Sequence, residues 1–114
     1  MDHVELVQRT FRAYNARNLA VALSGIHPDV VWDIGGDQMI RGTDAVAKYW
    51  KEQWRSVDMR LLIRSLDRQC PSMVLDLALH LRRRDGAAEV RLTRNVLAFE
   101  DDLIASMRIG WKAD

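Results

Sequence analysis

Met73-Val-Leu-Asp-Leu-Ala-Leu-His-Leu-Arg82 leads through Arg83-Arg-Asp-Gly-Ala-Ala88 into Glu89-Val-Arg-Leu-Thr-Arg-Asn-Val-Leu-Ala-Phe99. Both flanks alternate with a period of two, and Asp85-Gly86 is the dipeptide favoured in a two-residue hairpin turn. The stretch therefore predicts two long antiparallel strands. A two-residue turn sets Arg82 opposite Glu89, His80 opposite Arg91, Ala78 opposite Thr93 and Asp76 opposite Asn95. On the other face Leu81, Leu79 and Leu75 meet Val90, Leu92 and Val96. Opposite charges at Arg82 and Glu89 agree with this register rather than a slip of one residue.

Working outward, Met59 to Asp67 and Leu103 to Trp111 show the same period. Cys70-Pro71-Ser72 and Glu100-Asp101-Asp102 punctuate them, leaving no room for a crossover helix, so all four strands are expected antiparallel. If Asp101-Asp102 is a two-residue turn, Asn95 opposes Arg108, while Met107, Ile109 and Trp111 join the leucine face. The first half has helical spacing instead. Val4, Val7, Phe11 and Tyr14 mark one amphipathic helix, about Asp2 to Ala16. Asn18 is placed to cap a short second helix, Leu19 to Ser24, with Gly25 as a left-handed terminator and Pro28 preventing continuation. Val30 to Ile34 and Gln38 to Arg41 form a hairpin around Gly35-Gly36-Asp37. Thr43 is placed to cap a third helix, Asp44 to about Trp54, with Val46, Trp50 and Trp54 on one stripe. Two to three N-terminal helices packed on a curved, mostly antiparallel sheet make an α+β architecture.

The 114 residues suit a single domain spanning 1–114, able to bury roughly 65% of its unfolded surface. With 48% hydrophobic residues the chain is not disordered, and a net charge of +1 gives no global attraction to nucleic acid or an anionic membrane. No signal peptide or run of membrane-spanning length is visible, so a cytoplasmic location is expected. A lone Cys70 has no partner for an internal disulfide and reads as structural. His3, His27 and His80 lack metal-ligand spacing, and no glycine-rich phosphate loop is present, so neither a metal nor a cofactor is expected.

Four segments in order, Phe11-Arg-Ala-Tyr-Asn-Ala-Arg-Asn18, His27-Pro-Asp-Val-Val-Trp-Asp33, Arg41-Gly-Thr-Asp-Ala-Val-Ala-Lys-Tyr-Trp50 and Phe99-Glu-Asp-Asp-Leu-Ile104, resemble the SnoaL-like family. That family belongs to the nuclear transport factor 2-like superfamily, which includes ketosteroid isomerases. The resemblance implies a cone: a strongly curved sheet around the helices, a pocket at the open end, and dimerisation through the sheet. It also implies site residues. Asp33 falls at the position of the isomerases' general base, and Asn95 where they keep a protonated aspartic acid in the oxyanion hole. Their first-helix tyrosine is replaced by Phe11, with Tyr14 one turn on. Asn18 and Asp101-Asp102-Leu103 also depart from the family pattern, though as plausible cap and turn residues.

An aspartate after Trp32 in an apolar pocket could exchange protons near neutral pH, because burial raises a carboxyl pKa. The amide of Asn95 could donate to a developing oxyanion. Asp33 and Asn95 are thus the candidate catalytic pair, for cofactor-free proton transfer, or a related cyclisation or hydration, on a small carbonyl-type or polyketide- or steroid-like compound. Tyr14 and Trp50 are the candidate walls. Asp76, His80 and Arg108, together with Arg91, share the face of Asn95 in this register and are candidate contacts for a small apolar or mixed-polarity ligand. Each has a blander reading: Asp33 as a solvated edge residue, Asn95 as a cross-strand hydrogen-bond partner of Asp76 or Arg108, Trp50 as a core or interface residue, and Asp76, His80, Arg91 and Arg108 as a solvated polar face. The alternative function is a non-catalytic dimeric module. Pattern alone turns the leucines inward, whereas the resemblance turns Asn95 inward and leaves Leu75, Leu77, Leu79, Leu81, Leu92 and Val96 to a partner chain. The second arrangement, a homodimer, is the one expected here.

Overall fold

The computed structural model describes residues 2–35, 37–69 and 71–111, the last of these by its backbone. Cys70, Gly36 and the side chain of Trp111 lie outside the described residues, as do the readings made of them. Three helices, α1 (His3–Asn15), α2 (Leu19–Ser24) and α3 (Thr43–Ser56), cover one face of a six-stranded sheet. The strands are β1 (Ile26–Gly35), β2 (Gln38–Arg41), β3 (Asp58–Gln69), β4 (Ser72–Arg82), β5 (Ala88–Glu100) and β6 (Leu103–Trp111). Their order is β2-β1-β6-β5-β4-β3, with every neighbouring pair antiparallel except β1 with β6. The sheet is curved and open. Register shifts in β1 beside Asp33, in β3 beside Ile63 and between β5 and β6 beside Ala98 mark where it bends, as bulges do.

Helix α1 begins where the Asp2 carboxylate accepts from the Glu5 N–H at 2.8 Å, and α2 where Asn18 accepts from the Val21 N–H. Two terminator readings change. Thr43 is the first residue of α3 rather than its cap; Gly42 caps it, at φ +83°, without a side-chain bond. Gly25 has φ −91°, so it is not left-handed. Its lack of a side chain serves packing: a Cβ there would come within 2.4 Å of the Thr10 hydroxyl.

The decisive change is in register. Arg83 N–H donates to the Ala87 carbonyl at 2.8 Å and Gly86 N–H to the Arg83 carbonyl at 3.0 Å, so the turn holds three residues, Arg84 to Gly86. Gly86 takes φ +90°, the left-handed third position of such a loop. All β4–β5 pairs therefore slip by one: Leu81 opposes Glu89, Leu79 opposes Arg91, Leu77 opposes Thr93 and Leu75 opposes Asn95. Glu89 is held by Arg83 and Arg91, not by Arg82. At the other end Asp101 and Asp102 do form the expected two-residue turn, both at positive φ, with Glu100 opposite Leu103. A bulge after Ala98 then absorbs one residue of β6, so Asn95 opposes Ile109 instead of Arg108.

Two slips of one residue, one on each side of β5, have a single consequence. The leucines of β4, the β5 residues Asn95, Thr93 and Leu97, and Met107 and Ile109 of β6 all face inward together. Met73, Leu75, Leu77, Leu97 and Met107 are buried there with Val7, Phe11 and Val46 from the helices. The β4 leucines and the Asn95 side of β5, set on opposite faces in the sequence reading, share one face, while Val90, Leu92 and Val96 of β5 stay on the other. The expectation that the β4 leucines lie outside, waiting for a partner chain, is overturned: at roughly 1.5–3 kcal/mol per buried aliphatic side chain, the helices are their natural cover.

Candidate functional site

Between α3, the end of α1 and the inner face of the sheet lies a cavity of about 300 Å³. Its walls are Tyr14, Trp32, Ile34, Tyr49, Trp50, Gln53, Val57, Met59, Leu61, Leu79, Leu81, Arg91, Met107 and Ile109. Period two in β1 turns Trp32 and Ile34 in, and helical spacing in α3 brings Tyr49, Trp50 and Gln53 to the same side. Trp50 stands edge-on to both Tyr14 and Trp32, with ring centroids 5.7 Å apart in each pair. Such T-shaped contacts fix the rings as a rigid wall.

One edge of the cavity is polar. The Tyr14 hydroxyl donates to Gln53 Oε1 at 2.9 Å, and Gln53 Nε2 donates to the Tyr49 hydroxyl at 3.0 Å. In this chain the Tyr49 proton is the one left to point at a ligand. Burial pushes the pKa of both tyrosines above the ordinary phenol value, and for Tyr14 the neighbouring Tyr49 adds to the rise. Both hydroxyls therefore stay protonated and act as donors. Arg91 closes the edge, its guanidinium bonded to Glu89 at 3.0 and 3.1 Å. Among the described lining residues there is no carboxylate and no imidazole.

The sequence-derived candidates divide. Tyr14 and Trp50 line the cavity as expected of walls. Asn95 is buried but beneath the floor, accepting from the Thr93 hydroxyl at 2.8 Å and donating to Met107 Sδ at 3.3 Å. Asp33 follows the inward Trp32, pairs in register with Arg108 on the outer side, and accepts the Gly35 N–H at 3.0 Å. Neither Asp33 nor Asn95 is among the residues that line this cavity. Asp76 lies on the outer face, bonded to Arg94 at 2.9 Å and Ser65 at 3.1 Å, and His80 and Arg108 are exposed there. The same slips explain all three. Arg91 and Asn95 sit on one strand and keep their common side, whereas Asp76 and His80 on β4 and Arg108 on β6 change sides.

Tyr49 and Gln53 were missed because the stripe read on α3 was Val46, Trp50 and Trp54. Their spacing of four residues, one helical turn, with Tyr49 beside Trp50, was the available signal. Among the described residues one group of possible metal ligands occurs, His27, Glu100 and Asp101, away from the cavity. His27 Nδ1 accepts the Asp29 N–H at 3.0 Å, so Nε2 carries the proton and faces Asp101 at 3.4 Å. This clamps the start of β1 to the turn between β5 and β6.

The fold is shared with several solved structures. An NTF2-like protein of unknown function from Burkholderia pseudomallei is 17% identical with a TM-score of 0.89, over 98% of this chain and 92% of that one. A putative polyketide cyclase from Pseudomonas putida is 18% identical, also with a TM-score of 0.89 and the same coverage of 98% and 92%. An epoxide hydrolase from M. tuberculosis, described as LEH-like, is 14% identical with a TM-score of 0.84, over 96% and 82%. No curated protein matches the sequence significantly. A SnoaL-like domain model matches residues 7–107, nearly the whole sheet, most of α1 and all of α2 and α3, and the chain belongs to that family.

Proposed function

We propose that this chain binds a small, largely apolar molecule in the cavity beneath α3, with one polar group of the ligand set against Tyr49, Gln53 and Arg91. The observation that carries the reading is the pairing of a rigid aromatic wall with a short polar edge in a cavity of about 300 Å³. That is the usual make-up of a small-molecule site: apolar surface for affinity, a few placed donors for orientation. The putative polyketide cyclase and the epoxide hydrolase among the similar structures support handling of small organic molecules. Binding is favoured over proton transfer, because the latter needs a base and the described lining residues include no carboxylate and no imidazole. The test is a titration with naphthalene-2-methanol, a flat neutral probe, followed by tryptophan fluorescence. Saturable quenching in the wild type, lost in Leu79→Trp, is expected. No quenching, or quenching unchanged in Leu79→Trp, contradicts the reading.

A second reading, association of two copies through the outer face of the sheet, is favoured by Leu62 and Val90, which are 47% and 57% exposed there. Light scattering after size exclusion decides it, since a monomer at micromolar concentration removes the dimer.

A further inference from the structure

We propose that the basic pocket at the end of α3 is a second binding site, which takes a phosphate group. It lies outside the cavity already described and does not depend on that reading. Arg82-Arg83-Arg84 runs from the end of β4 into the turn, beside Arg55 on α3 and Arg17 after α1. These five arginines, with Trp54 and Asp58, line a depression of about 210 Å³. Asp58 is the one carboxylate among its described lining residues, and Arg17 holds it at 3.0 Å. Glu89 is bonded to Arg83, and the nearby Asp85 accepts the Ala87 N–H at 2.8 Å. With all three acids set against the five arginines, a formal charge of +2 remains. The whole chain carries only +1, so the excess is local to this pocket.

Two contacts shape the pocket for a small anion. Arg84 donates to the Arg55 carbonyl at 2.6 Å, one of the last free carbonyls of α3. That bond fixes the guanidinium without neutralising it, and covers the negative end of the helix. Arg82 stands opposite Asp58 across the β3–β4 pair, but that carboxylate is given to Arg17. The guanidinium fork matches phosphate oxygens, and several forks around one group divide its two charges. A strand of nucleic acid would need open aromatic faces for its bases. Trp54 is already covered: Tyr14 lies against it at 5.3 Å between centroids, and Arg17 stands over its ring at 6.0 Å. Val57 lines both this pocket and the apolar cavity, so a free phosphate and one carried on an aromatic molecule fit the same arginines.

The test is calorimetry on the full chain at neutral pH with methyl phosphate and 2-naphthyl phosphate, which share one headgroup. Saturable binding with one site per chain is expected. Arg82→Gln with Arg84→Gln should weaken it at least about tenfold, the worth of one charge-assisted hydrogen bond. Arg9→Gln with Arg41→Gln removes the same charge from α1 and from β2, at the other edge of the sheet, and should change nothing. All four arginines are exposed, so both variants should fold. Equal binding of the two probes supports the site and makes its ligand a free phosphate. Tighter binding of the naphthyl ester, with the excess lost in Leu79→Trp, supports it as the headgroup site of a molecule that also enters the cavity. No saturable binding of either probe overturns the site and leaves the cavity reading as it stands. A loss no greater in the Arg82 and Arg84 variant than in the control variant overturns it equally.

Discussion

Gly25 and Asn95 show how much a single residue contributes when its surroundings are full. Alanine at 25 places a methyl 2.4 Å from the Thr10 hydroxyl, which is buried and donating to Leu6, so α1 and α2 must separate. Gly25→Ala should cost about 1–3 kcal/mol in chemical denaturation, the range for overpacking. Asn95→Ala removes the acceptor of the buried Thr93 hydroxyl and leaves a void, so about 2–3 kcal/mol of stability should go. Asn95→Leu with Thr93→Val, removing both polar partners, should recover part of that loss. Asp33→Asn, by contrast, keeps an acceptor for the Gly35 N–H, and thermal denaturation should shift little, within about 0.5 kcal/mol. A larger loss would mean that the ionised carboxylate holds a partner such as Arg108.

Among the elements, the hairpin of β4 and β5 is where the sequence could be read and where it misled. Helix and strand identities were legible because burial imposes periods of 3.6 and 2 on apolar residues; that placed Tyr14 and Trp50 on apolar stripes, and the family resemblance marked them as cavity walls. Which residues oppose one another was not. Asp85-Gly86 suits a two-residue turn and also the last two positions of a three-residue loop, and the choice reverses the faces of a whole strand. The bulge at Ala98 has no glycine or proline to announce it, yet it moves Arg108 to the outside. Charge pairing was ambiguous as well, since Arg82, Arg83 and Arg91 are all near Glu89, and the pairs formed are diagonal and same-strand. Gly86 at φ +90° is the residue that the three-residue loop requires. Gly86→Ala should therefore cost about 1–2 kcal/mol by denaturant titration, the penalty of a left-handed L-residue. A stability unchanged within error would mean that Gly86 is not held left-handed, and would remove the three-residue loop and the register built on it.

For the molecule as a whole, one inner face serves as both core and cavity lining, so stability and the proposed binding share residues. Tyr14 and Tyr49 make this measurable through pH. Their folded pKa values are raised, so the unfolded chain releases those protons first, near pH 10. The folded state binds more protons above that point, and stability should be level below about pH 10 and fall as pH rises through the folded values. Tyr14→Phe with Tyr49→Phe should flatten that alkaline limb; an unchanged limb would mean that the hydroxyls are not buried. The central claim is that the cavity beneath α3, and not the outer face carrying Asp33 and Arg108, is where this chain meets its ligand. A crystal structure of the protein soaked with naphthalene-2-methanol tests it most directly. Density for the ring between Trp50 and Leu79, with its oxygen beside Tyr49, is the predicted result. Density seated beside Asp33 and Arg108, with the cavity empty, would contradict it.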